Sequence, residues 1–109
     1  MNDKNQYKGV EGVDTPTPKA VAAPVVNLPV PDSDNENPVE FSGTGEEGWL
    51  VLVYSIPTDG QAIASAIVKN GEWSTSVSLD VRRYSAFALQ KDNRQTSEWT
   101  DIFDFTVTR

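Results

Sequence analysis

The sequence predicts an antiparallel β-sandwich of about seven strands. Short runs of β-branched and aromatic residues recur, turn signals separate them at intervals of about 8 to 12 residues, and no helical pattern interrupts them. At 109 residues the chain is long enough for one domain. Six of its seven prolines but only one of its ten aromatic residues fall within residues 1–38, so the hydrophobic core must come from the rest.

The chain divides into two regions. Residues 1–21 predict a flexible, polar, disordered N-terminal tail or linker, in which Thr15-Pro16-Thr17-Pro18 favours extended polyproline geometry. Residues 22–109 are predicted to form the sandwich. Its first segment, APVVNLPVP, predicts an edge strand because proline cannot donate to a sheet ladder, and the following DSDNENP predicts a solvated turn.

Strands and turns alternate beyond Pro38. Pro57-Thr58-Asp59-Gly60 predicts a turn, and Asn70-Gly71 is the strongest short signal for a hairpin. The alanines of QAIASAIV also suit a helix, but the run is short, lies between two turns and lacks capping residues, so it predicts a strand. The predicted strands are Val39–Thr44, Trp49–Ile56, Gln61–Val68, Trp73–Leu79, Tyr84–Gln90 and Ile102–Thr108.

Composition argues against several classes of function. The net charge of −7 is spread over both regions, which disfavours nucleic acid and anionic membranes as partners. The chain has neither cysteine nor histidine, so disulfides, thiolate metal sites and a Ser-His-Asp triad are excluded. We therefore expect no enzyme activity, no catalytic residues and no cofactor.

The acidic clusters predict no metal or catalytic site either. Glu46 and Glu47 are adjacent in a turn, so their carboxylates diverge rather than converge across a cleft. The acidic run DSDNENP lacks the spacing, central glycine and terminal glutamate of a calcium-binding EF-hand loop. Calcium binding through Asp92 or Asp101 stays open as a minor alternative.

Several short motifs resemble the bacterial immunoglobulin-like repeats. SGTGEEG at Ser42–Gly48, NGEWS at Asn70–Ser74 and the closing Phe105-Thr106-Val107 are similar to the family's S-G-T-G-E, D-G-x-W-S and F-T-V elements. The resemblance covers roughly residues 22–109 and implies an immunoglobulin-like sandwich. It also implies a non-enzymatic structural or adhesive module, usually repeated in tandem in bacterial surface proteins, whose partner is another protein or a neighbouring repeat.

The alternation of side chains along each strand predicts the core. The two glycines that flank Glu46-Glu47 predict a tight turn with positive φ. The residues predicted to face inward occupy alternate positions of each strand. A shift of one residue would turn the side chains of a strand to the opposite face. The inward-facing residues are Val39, Phe41, Trp49, Val51, Val53, Ala64, Ala66, Val68, Trp73, Val77, Leu79, Tyr84, Ala86, Ala88, Phe103, Phe105 and Val107.

The same phase leaves an apolar patch on the opposite face. Leu50, Leu52 and Tyr54 then point outward from one strand, and Phe87 and Leu89 from another, which is its neighbour in immunoglobulin-like sandwiches. Contiguous apolar patches mark contacts with other molecules. The alternatives are cover by the N-terminal segment, scattered surface apolar residues, or an inverted phase in which these residues form the core. Ile63 is a further candidate member of this patch.

Trp99 follows Ser97-Glu98 in a loop and falls outside the core phase. An exposed loop tryptophan stacks on a sugar ring, anchors a protein contact or caps the end of the sandwich. We therefore keep a carbohydrate-binding module as the alternative function, with a glycan as partner, and a weak homodimer as another assembly. The chain shows no apolar signal-peptide core, so the expected extracellular or cell-surface location needs another export signal, and a cytoplasmic location stays open.

Overall fold

The computed structural model describes residues 20–109, so the predicted tail lies outside the described residues except for its last two positions. In this range the chain forms eight β-strands, and none of its segments is a helix that could cross a membrane. The strands are β1 (Val25–Leu28), β2 (Asp34–Glu36), β3 (Val39–Thr44), β4 (Leu50–Ser55), β5 (Ala64–Ile67), β6 (Glu72–Val77), β7 (Arg83–Lys91) and β8 (Phe103–Thr108).

Two sheets form a β-sandwich, as the sequence predicts. One has the strand order β1-β3-β6 and the other the order β2-β8-β7-β4-β5. All neighbouring strands are antiparallel except β2, which runs parallel to β8. The predicted pairing of β4 with β7 is present, so their outward side chains share one face.

Strand β2 lies within the segment predicted to be a solvated turn. Asp34 pairs with Thr106 of β8, and the Thr106 N–H donates to the Ser33 carbonyl at 2.9 Å. Both carboxylate-bearing positions of β2 are exposed. The prediction of a turn was wrong because a three-residue edge strand satisfies its backbone on β8 and still keeps its charged side chains in water.

The core lies between the sheets and follows the predicted phase. Phe105 is central to it: its ring meets the ring of Phe41 edge-on at 5.7 Å and stacks on Tyr84 at 5.2 Å. Trp49 is the exception, because it is half-buried, precedes β4 and closes a turn through its N–H to the Glu46 carbonyl. The buried members are Val39, Phe41, Val51, Val53, Ala64, Val68, Trp73, Tyr84, Ala86, Ala88, Phe105 and Val107, with Ala66, Val77, Leu79 and Phe103 partly buried against them.

The glycines of SGTGEEG serve two different purposes. Gly48 has a φ of +81°, the positive value predicted for the turn. Gly45 is needed for a close approach, since a Cβ there would lie 2.8 Å from Oε1 of Gln90. At Gly43 a Cβ would collide with the Val25 carbonyl oxygen, so this glycine lets β1 pack against β3.

The chain enters and leaves the sandwich at opposite ends. The Val21 carbonyl accepts a hydrogen bond from the Glu98 N–H beside the final residues of β7. At the other end, the Val107 N–H of β8 donates to the Arg82 carbonyl just before β7 begins. Since β7 extends for nine residues, about 30 Å of strand separates these two ends.

Candidate functional site

The outer face of the five-stranded sheet brings together the predicted interaction residues. Strand β4 supplies Leu50, Leu52 and Tyr54, and β7 supplies Phe87 and Leu89. In the register of these strands Leu52 lies opposite Leu89, and Tyr54 lies opposite Phe87. We call these five residues the outer patch. Its members are neighbours on one surface, on the side of the sheet that faces away from the core.

Part of the outer patch is covered by Trp99. The rings of Phe87 and Trp99 stack with centroids 4.4 Å apart and planes at 18°, and Tyr54 stacks on the other side of Phe87 at 5.5 Å. Phe87 is therefore only 7% exposed, whereas Trp99 keeps 64% of its surface in solvent. Leu89 is also buried, and the three β4 residues are half-buried. Phe87 and Leu89 thus point outward as the strand phase predicts, but they are covered on that face.

The loop between β7 and β8 holds Trp99 in position from both sides. On one side Ser97 exchanges hydrogen bonds with Gln90: the Ser97 N–H donates to the carbonyl at 2.8 Å, and the Gln90 N–H donates to Oγ at 2.9 Å. On the other side Thr100 bonds in the same way with Ala88, both at 2.9 Å. Trp99 is thus fixed over the outer face and does not cap the end of the sandwich.

The first turn of this loop is organised by Asp92. Its Oδ1 accepts hydrogen bonds from the backbone N–H groups of Arg94 and Gln95, both at 2.8 Å, and these bonds hold the pKa of the Asp92 carboxyl below its ordinary value. Within residues 20–109 no three acidic side chains come together as a metal site would require. In this structure Asp92 shapes the loop that carries Trp99.

The described part of the N-terminal segment does not supply the cover over Phe87. Its Ala22 carbonyl accepts a hydrogen bond from Nε2 of Gln90 at 3.0 Å, while Oε1 of the same side chain accepts one from the Glu46 N–H at 2.8 Å. Gln90 is 4% exposed and points inward. Residues 21 and 22 therefore close the gap between the two sheets at the end where the chain enters.

The other half of the outer face is charged. The Ser85 hydroxyl donates to Asp104 at 2.7 Å, and the Arg83 guanidinium contacts Asp104 and Asp32, each at 3.1 Å. The Ser85 hydrogen bond and the Arg83 contact lower the pKa of Asp104. The face thus has an apolar half that carries the outer patch and a polar half on β7 and β8.

An open groove of about 400 Å³ adjoins the outer patch at the start of β4. Leu50 and Ile67 provide its apolar lining, Lys91 and Arg94 add positive charge, and Asp92 adds a negative charge. Ile67 is 51% exposed and pairs with Leu50, but sequence reasoning did not assign it to the patch. The alternation of QAIASAIV is the signal that identifies it. Ile63 was assigned wrongly, because it packs against the core.

Comparison with known proteins supports the fold. No protein-family profile matches the chain, and no curated protein matches it. A solved structure described as "Biofilm associated protein - BSP domain" superposes with a TM-score of 0.58 at 16% sequence identity. The match covers 81% of this chain but only 14% of that chain, so this chain spans about one seventh of its neighbour. The protein shares its fold with a domain of a biofilm associated protein.

Proposed function

We propose that this chain is a non-enzymatic, immunoglobulin-like module of a surface protein that makes protein–protein contacts through the outer patch and Trp99. One observation carries the proposal: an exposed tryptophan is fixed on an apolar sheet face by a loop bonded to β7 on both sides. Aromatic side chains held in this way are typical anchors of protein interfaces, because little entropy is lost when they bind.

Two further features support a place in a surface protein. The chain enters and leaves at opposite ends of the sandwich, which is the geometry that joins modules in a line. The fold also occurs in a biofilm-associated protein whose chain is several times longer than the match. The proposal therefore places the module outside the cell, either as a spacer or as an adhesive unit beside other modules.

Adhesion of cells that display the module tests the proposal. We expect display to increase cell–cell or cell–surface adhesion, and we expect Leu52→Thr combined with Trp99→Ala to abolish the increase. The matched control is Ser42→Thr with Ser74→Thr, two changes on the outer side of the three-stranded sheet. Equal surface display and an unchanged circular dichroism spectrum must accompany each variant. Adhesion that survives the patch changes would refute this role for the outer face.

A carbohydrate-binding function is the second candidate, and the stack beneath Trp99 favours it. One face of the indole lies on Phe87, so the ring is held flat while 64% of the residue stays exposed. A flat exposed aromatic face is a surface on which the apolar face of a sugar ring can pack. The neighbouring Asp101 is exposed and offers a hydrogen-bond acceptor.

A glycan array separates the two candidates. Carbohydrate binding predicts saturable binding that Trp99→Ala removes, that Trp99→Phe partly restores, and that Leu52→Thr leaves unchanged. Protein contact predicts that Leu52→Thr and Trp99→Ala both weaken adhesion and that no glycan binds. The array therefore assigns Trp99 to one role or the other.

A further inference from the structure

Strand β5 forms the least protected edge of the sandwich. Pro24 and Pro29 flank β1, whose register with β3 is also irregular. Strand β2 has only three residues, two of them acidic, and β6 begins with Glu72. Strand β5 instead lies within residues 61–68, a run without proline, glycine or charge. Proteins normally protect sheet edges with such residues, because an unprotected edge pairs with another strand.

The register shows that the backbone of Ile67 points toward the open side. The Val68 N–H donates to the Trp49 carbonyl at 2.9 Å, so Ile67 and Leu50 form a non-hydrogen-bonded pair of the β4–β5 ladder. In such a pair the N–H and C=O groups point away from the partner strand. The backbone groups of Ile67 are therefore directed away from β4.

Ser65 has the same orientation, because hydrogen-bonded and non-hydrogen-bonded pairs alternate along an antiparallel ladder. Ala66 lies opposite Val51 and bonds to β4, whereas Ser65, opposite Leu52, points its N–H and C=O outward. Within residues 20–109 β5 has β4 as its only strand neighbour. Two residues of this edge thus present donors and acceptors with the spacing that another strand requires.

Space for a second strand exists beside this edge. An open cleft of about 720 Å³ runs along β5, lined there by Ser65, Ala66 and Ile67, with Trp73 on its far side. Ile67 is 51% exposed, and Ser65 is exposed as well. The cleft is open to solvent along β5, and Lys69 and Glu72 lie at its rim.

We propose that a second copy of this chain pairs with this edge, β5 to β5 in antiparallel orientation, with the two-fold axis at Ala66. Ser65 then lies opposite Ile67 of the second copy, and each of the two symmetry-related pairs exchanges both of its N–H···O bonds. The two five-stranded sheets become one continuous sheet. The contact is isologous and closes on itself, so it yields a dimer and not a filament.

The sequence of β5 fits a second copy of itself. Ala66 faces its own symmetry mate in a non-hydrogen-bonded pair, where side chains come closest, and two alanines fit there without a clash. Ser65 lies beside Ile67 of the second copy on the outer face. Because residues 61–68 carry no charge, the pairing opposes no like charges. This inference goes beyond the proposed function and uses no residue of the outer patch.

Sedimentation of Ser65→Pro tests the proposal. Proline removes an N–H that makes no bond to β4, so the monomer should stay folded. In the dimer the change removes two symmetry-related hydrogen bonds, and we expect the dissociation constant to rise about 30-fold or more. Ser65→Thr keeps the N–H and should associate like the wild type. Leu52→Thr changes only the outer patch and should also leave association unchanged, which separates this test from that of the proposed function.

Amide hydrogen exchange supplies a readout that does not depend on the variants. The N–H groups of Ser65 and Ile67 should exchange quickly in dilute protein and slowly in concentrated protein, whereas the Ala66 N–H should be protected in both. Two results would overturn the proposal: a wild type that stays monomeric up to about 1 mM, or a dimer in which Ser65 and Ile67 exchange as fast as in the monomer. If this edge binds a peptide from another protein and not a second copy, the wild type should stay monomeric, which is the first of these results.

Discussion

The ring of Trp99 lies on the ring of Phe87, with centroids 4.4 Å apart and planes inclined by 18°. The two residues are separated along the chain by the end of β7 and part of the loop that follows it, yet their stack determines how much of Phe87 reaches solvent. Phe87 is buried by it, and Trp99 becomes the exposed surface in its place.

We expect Trp99→Ala to lower the free energy of unfolding by about 1 kcal/mol, the usual contribution of a stacked aromatic pair. Phe87→Ala should cost about 3 kcal/mol, because that residue is buried. Urea denaturation measures both changes. Ile102→Ala is the matched control, since Ile102 is 63% exposed in the same loop and should change stability little. Equal costs for Trp99→Ala and Ile102→Ala would show that the stack does not form in solution.

The buried side chain of Gln90 joins the first described residues to the turn at Glu46. Replacing it by leucine leaves the Glu46 N–H and the Ala22 carbonyl without their partner, so we expect a loss of about 1–3 kcal/mol of stability. Amide exchange at Glu46 should accelerate more than exchange in β6. Gln95→Leu, in the exposed loop, is the control and should behave like the wild type.

The Ser85 hydroxyl is the main cause of the low pKa of Asp104, and Arg83 adds to it. Ser85→Ala should therefore raise the pKa of Asp104 toward its ordinary value of about 3.9, which carbon-13 titration of the carboxyl group measures. A depressed pKa stabilises the fold above the ordinary value, and this contribution disappears as the pH falls through the lower folded value. The acid side of the stability profile should flatten in Ser85→Ala.

Asp92 is the internal control for that titration. Its pKa is lowered by the N–H groups of Arg94 and Gln95 in its own loop, and it makes no contact with Ser85. Its titration should be the same in the wild type and in Ser85→Ala. A parallel shift of both aspartates would instead indicate a change in the whole fold.

Gly43→Ala should separate β1 from β3. The new Cβ would collide with the Val25 carbonyl oxygen, which is backbone and cannot rotate away. We expect a loss of about 1–3 kcal/mol, as for other insertions into packed interiors, and faster amide exchange in β1. Ser42→Ala, at the neighbouring outward position, should leave β1 in place. An unchanged exchange rate in β1 of Gly43→Ala would contradict the close approach.

The sequence was informative where the signal is local. Alternation along the strands predicted the core around Phe41 and Phe105. Asn70-Gly71 predicted a hairpin: both residues have positive φ and the turn is closed by one bridge between Lys69 and Glu72, but the strands that it joins, β5 and β6, lie in different sheets. The strand phase also placed Leu52 and Leu89 on one outer face, and the structure pairs them. In each case the sequence pattern has the same period as the structure that it specifies.

The features of the structure that the sequence did not predict depend on contacts between segments that are distant along the chain. Nothing local in DSDNENP favours a strand. The strand β2 forms there because it pairs with β8, which lies more than seventy residues later in the chain. Nothing in SEWT shows where the indole will lie, because its position follows from the bonds of Ser97 and Thr100 to β7. The fold was therefore easier to predict than the surface on which a function depends.

The parallel pairing of β2 with β8 has a mechanical consequence. In the role that we propose, flowing liquid would pull the module at its two points of entry and exit, which lie at opposite ends of the sandwich. Such a pull would shear β2 against β8, and we expect the three pairs at Asp34, Asn35 and Glu36 to break together rather than one after another. A strand of three residues, too short to be noticed in the sequence, is where this module would bear tension.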